Sequence, residues 1–167
     1  MTILVNNAGL SKVVPFEEIT DALWEQMFDI NVRGTFVVTQ IVLPDMKAAR
    51  WGRIVNMSSS SAQTGSAQHV HYASSKGAVI AMTRALANLL GPDGITVNNI
   101  PPGSVFGTVM SEANLPPETR AKLTETLPVR RVGIPEDIAN ACTWLCREES
   151  GYVTGQTIGV NGGRVVS

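Results

Sequence analysis

RIVNMSSSS, residues 53–61, opens on a short apolar run and closes on four consecutive serines. Arg53 to Met57 reads as a strand and the serines as the polar loop at its carboxyl end. The same change of character occurs twice more. Ile3 to Val5 runs into Asn6, Asn7 and Gly9, and ITVNNI (95–100) breaks at Pro101, Pro102 and Gly103. Gln156 to Val160 reads as a last strand. Between these runs the pattern turns helical. Thr20 is placed to cap a helix running through Leu23, Trp24, Met27, Phe28 and Ile30 to Leu43 and stopping near Pro44. An alanine-rich helix spans about 73–90, closed by Gly91 and Pro92, and a short one lies around Pro116 to Thr126. Pro135 suits the first position of another, with Glu136 and Asp137 in its first turn. Alternating strands and helices predict an α/β fold, a parallel sheet covered by helices on both faces. Such sheets take ligands beyond the carboxyl ends of their strands, where the loops at 6–9, 58–61 and 101–107 all fall.

At 167 residues the chain suits one domain, residues 1–167. Hydrophobic residues make up 44% and charged ones 16%, the balance of a soluble globular protein. A formal net charge of −1, with the two signs interspersed, argues against nucleic acid or an anionic membrane as partner. No apolar run approaches the ~20 residues of a membrane-spanning helix. MTILVNNAG lacks the basic start and long apolar stretch of a signal peptide, so a cytoplasmic location is expected. Cys142 and Cys146 stand four apart in a helix, unsuited to a disulfide and too few for a metal, and read as small buried hydrophobes. No metal site is expected.

In HYASSKGAVI (71–80), Tyr72 and Lys76 share a helix face. A free phenol, with a pKa of about 10, is a poor base near neutral pH, but a fixed ammonium favours the phenolate. A lowered phenol pKa suits proton exchange with an alcohol or ketone oxygen. Taken alone, the pair reads first as a helix-start tyrosine and a lysine reaching into solvent, since such spacings are common.

NNAG (6–9), Asn31, NMSSS (56–60), YASSK (72–76) and PPG (101–103), in this order, resemble the short-chain dehydrogenase/reductase family, and within it the 3-oxoacyl-acyl-carrier-protein reductases. RVGIPEDIA (131–139) and GYVTGQTIGVNGG (151–163) extend the likeness over nearly the whole chain. The resemblance implies a Rossmann-like fold and an NAD- or NADP-dependent interconversion of a secondary alcohol and a ketone. It makes Tyr72 the acid/base and Lys76 the residue that lowers its pKa and holds the nicotinamide ribose. Ser59 matches the serine that binds the substrate oxygen, and Asn31 the asparagine that links Lys76 through water to solvent. Asn6, Ala8 and Gly9 match the turn beside the adenosine, and Pro102, Gly103 and Val105 the segment that receives the carboxamide. A small alcohol or ketone substrate and a homo-oligomer, dimer or tetramer, are implied.

The chain departs from the family in two places. No Gly-rich phosphate turn precedes NNAG, so an incomplete domain is expected, without the residue that separates NAD from NADP. That absence keeps a second reading open: an inactive chain acting as a binding or oligomerisation partner. Gly107 also stands where the family has threonine, with Thr108 next. His69 and His71 are expected to be solvated loop residues. The region from Ser104 to Leu127 is expected to cover the substrate.

Overall fold

The computed structural model describes residues 1–114 and 116–166. Three parallel strands, β1 (Ile3–Asn6), β2 (Gly52–Met57) and β3 (Ile95–Ile100), form a sheet in the order β1-β2-β3. Every residue of β2 and β3 is buried, as in a strand covered on both faces. One face packs α2 (Gly34–Ala49) and α4 (Val70–Leu90), through Leu4, Val42, Met46, Ile54, Ala87, Leu90, Ile95 and Val97. The other packs α7 (Pro135–Cys146), through Val55, Met57, Ile100 and Leu145. Ile54 and Val55 point to opposite faces because side chains alternate along a strand. With α3 (Ser61–Thr64) in the connection after β2 and α6 (Pro117–Thr126) in the one after β3, this is the α/β architecture that the alternating elements predict.

Three local expectations are corrected. The first helix does not stop near Pro44. Thr20 Oγ caps α1 (Asp21–Phe28) by accepting from the Leu23 amide at 3.2 Å, and the helix passes through a π turn (Asp29–Arg33) into α2. Pro44 lies inside α2, which continues because Thr39, Val42 and Met46 face the core on one stripe. Met46 fills the space above Gly52, where a Cβ would meet its sulfur at 2.9 Å.

The segment 156–160 follows β3 without forming a regular strand. Asn99 N–H donates to Gln156 O at 2.9 Å and Ile158 N–H to Asn99 O at 2.8 Å. Side chains take the neighbouring ladder positions: Asn98 Oδ1 accepts from Gln156 N–H at 3.1 Å and Thr154 Oγ from Val97 N–H at 3.1 Å. Competing side-chain acceptors break the ladder into single bridges.

His71 is not a solvated loop residue. It is fully buried in the first turn of α4.

A polar tie runs under the sheet's carboxyl end. Asn6 Nδ2 donates to Asn56 Oδ1 at 2.8 Å, and Asn56 Nδ2 to Thr83 Oγ at 2.9 Å. Among the described residues these bonds leave no buried atom of the three polar side chains between β1, β2 and α4 orphaned.

Candidate active site

The loops after β1, β2 and β3 open into a cavity of about 1110 Å³ at the carboxyl edge of the sheet. Its lining includes Ala8, Gly9, Ser59, Tyr72, Lys76, Pro102, Gly103 and Val105, eight of the ten residues singled out from the sequence. Its size is at the upper end of ligand pockets, which run to about 1,000 Å³.

The phase of α4 sets the centre. Tyr72, Ser75, Lys76, Val79, Ile80 and Thr83 are all buried on one face, so Tyr72 and Lys76 are aimed together at the ends of β1 and β2. Lys76 Nζ donates to the Met57 carbonyl at 2.9 Å and lies 5.9 Å from the Tyr72 ring centroid. The Tyr72 phenol and the Ser59 hydroxyl line the same cavity, close enough for Ser59 to influence the phenol's titration. Ser59 Oγ is held by Ser61, at 2.8 Å from its hydroxyl and 3.2 Å from its amide. Ser58 is committed elsewhere, accepting from Asn99 Nδ2 at 2.8 Å.

The electrostatics differ from the expectation for an ammonium beside a phenol. Burial pushes the Tyr72 phenol above its ordinary value, and the Ser59 hydrogen bond only partly offsets this. Burial brings the Lys76 ammonium down to about 8. In a drying site each charged form loses solvation, and here that loss outweighs the attraction between the two groups. Tyr72 is therefore held protonated near neutral pH.

Asn31 and Asn6 lie beneath the cavity. The π turn carries Asn31 into full burial. Its Oδ1 accepts from Leu10 N–H at 2.8 Å, while its Nδ2 donates to Leu10 O and to Ser75 Oγ, each at 2.9 Å. Ser75 Oγ in turn donates to the Tyr72 carbonyl at 2.8 Å. Asn31 thus fastens the 8–10 loop to the turn of α4 that carries Tyr72. Ser75 was not singled out from the sequence, although its phase on α4 placed it on the buried face. Gly9 sits where a Cβ would approach Lys76 Nζ at 3.1 Å and Asn31 Oδ1 at 3.3 Å, so an alanine there would push on the lysine. Asn6 spends its amide on Asn56 and on Thr39 Oγ at 3.2 Å.

The third loop is fixed from two sides. Ser60 N–H donates to Pro102 O at 3.0 Å and Gly103 N–H to Val160 O at 3.1 Å. A Cβ on Gly103 would stand 2.8 Å from Asn161 Cα, so the glycine permits the segment 156–161 to close against the turn. Gly107 has φ +82°, a left-handed conformation that a threonine would hold only under strain. Thr108 lines the cavity, and its hydroxyl accepts from Ser111 N–H at 3.1 Å at the start of α5 (Val109–Asn114). Cys142 and Cys146 are free and partly buried; burial raises the Cys142 thiol to about 11, which keeps it unreactive.

His71 carries a cost. Among the described residues neither of its ring nitrogens meets a hydrogen-bond partner. Burial and, second, the charge of Lys12 lower its pKa. A histidine kept neutral by folding takes up its proton more readily when unfolded. Its contribution to stability is complete above about pH 6.5 and is lost as pH falls below that value toward the depressed folded pKa. His71→Leu is expected to stabilise the protein by about 1–2 kcal/mol near pH 8, by removing two orphaned polar atoms. It should also flatten the loss of stability between pH 6.5 and 5. Urea midpoints at three pH values measure both, and an unchanged pH slope would show that His71 is not the group responsible.

The sequence matches, over residues 1–164, the family model described as enoyl-(acyl carrier protein) reductase. It is 40% identical over 161 residues to the acetoacetyl-CoA reductase of Cupriavidus necator, covering 96% of this chain and 65% of that protein. It is 42% identical over 164 residues to the 3-oxoacyl-[acyl-carrier-protein] reductase FabG of Aquifex aeolicus, covering 96% of this chain and 64% of the other. The crystal structure of the 3-oxoacyl-[acyl-carrier protein] reductase of Brucella melitensis superimposes with a TM-score of 0.91 at 38% identity, over 99% of this chain and 63% of that one. The chain therefore spans a little under two thirds of the length of these relatives.

Proposed function

The chain belongs to the short-chain dehydrogenase/reductase family, and from that premise we propose that it supplies the catalytic half of an NAD(P)-dependent reductase of 3-oxoacyl-type ketones. The observation that carries the proposal is the convergence of Tyr72, Ser59 and Lys76 on one cavity, with Ser59 close enough to act on the phenol. A nicotinamide cofactor, when bound, supplies the hydride. The residues present suit it: an ammonium for ribose hydroxyls at Lys76, and a backbone turn at Pro102 to Val105 for the carboxamide. The small residues Ala8 and Gly9 leave the β1 loop open to the adenosine side. Asn6 supports that loop from below through its bond to Asn56.

Reduction needs one proton at the carbonyl oxygen as the carbon receives hydride. Ser59 and Tyr72 both present hydroxyls to one point, so Ser59 orients the oxygen and Tyr72 delivers the proton. The phenolate left behind faces the Lys76 ammonium, which stabilises the negative charge as it develops. Asn31, through Ser75, holds the helix turn and is a positioning residue. Cytoplasmic residence and homo-oligomeric assembly complete the proposal. The exposed apolar side chains Phe36, Val37 and Ile41 on α2 support assembly.

The test is oxidation of NADH and of NADPH, followed by absorbance, with acetoacetyl thioester as substrate. Ketone-dependent oxidation of either nucleotide is the expected result. Its absence from folded protein would favour the reading of an inactive binding partner.

A further inference from the structure

Resting on the reductase reading above, we propose that Arg164 is a specificity residue that selects substrates carrying a carboxylate close to the reacting carbonyl. The cavity lining holds two cationic side chains among the described residues, Lys76 and Arg164, and no aspartate or glutamate. Lys76 is occupied at the β2 end, on the Met57 carbonyl. Arg164 lines the same cavity, on the side of Ser104 and His69. Its Nη1 donates to Ser104 Oγ at 2.9 Å, and its charge is near enough to His69 to help depress that ring's pKa. His69 in turn packs edge-on against Tyr72, with ring centroids 5.5 Å apart. A substrate whose carbonyl oxygen sits between Ser59 and Tyr72 therefore extends toward His69, Ser104 and Arg164.

The position of Arg164 is built into the backbone. Gly162 and Gly163 both take left-handed conformations, φ +65° and +83°, and turn the chain back toward the cavity. A Cβ at either would collide with Val129 or Pro128 at 2.8 Å. Asn161 locks the turn: its Oδ1 accepts from Gly163 N–H at 3.0 Å, and its backbone carbonyl accepts from Arg164 N–H at 3.2 Å. Three other arginines pair with carboxylates, Arg33 with Asp29, Arg50 with Asp93 and Arg131 with Asp137, and of the arginines only Arg164 lines the cavity among the described residues. Among the described residues no carboxylate pairs with Arg164. An unpaired guanidinium held by a fixed turn at a pocket wall is suited to a planar, two-oxygen anion, which it can bind through two parallel hydrogen bonds. His69, held neutral, adds polarity without competing charge.

The test compares acids with their neutral esters of nearly the same shape: acetoacetate and levulinate against methyl acetoacetate and methyl levulinate. Binding to the protein is followed by NMR shift changes, and NADH- or NADPH-linked reduction in parallel. The expected result is a preference for acid over ester of at least tenfold, which collapses toward one in Arg164→Gln and is partly restored in Arg164→Lys. Ser104→Ala, which removes the hydroxyl holding the guanidinium, should narrow the preference less. Equal affinity for acid and ester, or a preference that survives Arg164→Gln, overturns the inference while leaving the reductase reading intact. Absence of reduction with all four compounds and with the thioester, despite folded protein, counts against the reading beneath it. An acid preference in the binding measurement would still uphold the role of Arg164 in that case.

Discussion

Tyr72→Phe is expected to lower NAD(P)H-linked ketone reduction by about 10² to 10⁴, the usual worth of a positioned proton donor. The substitution is mild in every other respect. The ring is almost fully buried and packs against His69 and Lys76 through its faces and edges, contacts that a phenylalanine keeps. Only the hydroxyl and its interaction with Ser59 are lost, so folding stability should change by about 1 kcal/mol or less. The loss should fall on kcat, with KM little altered, because the proton moves only in the transition state. Ser59→Ala should also slow reduction, by less, since Tyr72 remains to protonate the oxygen. The pH profile gives a second check. Burial holds the phenol protonated, so reduction should stay flat through neutral pH. A decline as pH rises through about 8 would report Lys76 losing its charge. Turnover of the Phe variant within tenfold of the parent would show that another group donates the proton.

Much of this site was legible because it rests on two periodicities. Strand runs that end in Asn6-Asn7, in Ser58 to Ser61 and in Pro101-Pro102-Gly103 locate one edge of a parallel sheet without any tertiary information. The helical spacing of Tyr72 and Lys76 then aims both at that edge. What the sequence hid depends on side chains competing with backbone. Asn98 and Thr154 take ladder positions beside 156–160, so an apolar run that reads as a strand becomes single bridges. Pro44 reads as a stop, but the core-facing stripe of Thr39, Val42 and Met46 carries the helix through it. His71 reads as loop because its neighbours are polar. Stepping back by fours from Val79 through Ser75 reaches His71 and places it inside, and that signal was present. Asn31 was recognisable by its place in the family pattern, yet its bonds to Leu10 follow from a π turn that no composition cue announces.

Those bonds make Asn31 a position where a small substitution should damage the fold heavily. Asn31→Ala deletes one acceptor and two donor hydrogens from a fully buried site. It leaves Leu10 N–H, Leu10 C=O and the Ser75 hydroxyl each without the partner they now have at 2.8–2.9 Å. A buried polar group stranded in this way costs about 1–3 kcal/mol. Leu10 is only partly buried and can turn toward water, which recovers part of that cost, so a total of about 3–4 kcal/mol is expected. Against a net stability of about 5–15 kcal/mol for a domain, this is a large fraction. Asn31→Asp should fare no better, since it keeps the acceptor for Leu10 N–H but buries a charge and loses both donors. The damage should be local first. Amide exchange at Leu10 should accelerate before the strands loosen, because Asn31 is what ties that loop to α4. With Gly9 free to move, Lys76 loses the wall that confines it, and reduction should fall together with stability. Urea unfolding of Asn31→Ala, with the slope unchanged and the midpoint lowered, measures the cost. A loss below about 1 kcal/mol would mean that Leu10 and Ser75 find other partners, and that Asn31 does not hold the loop and the helix together.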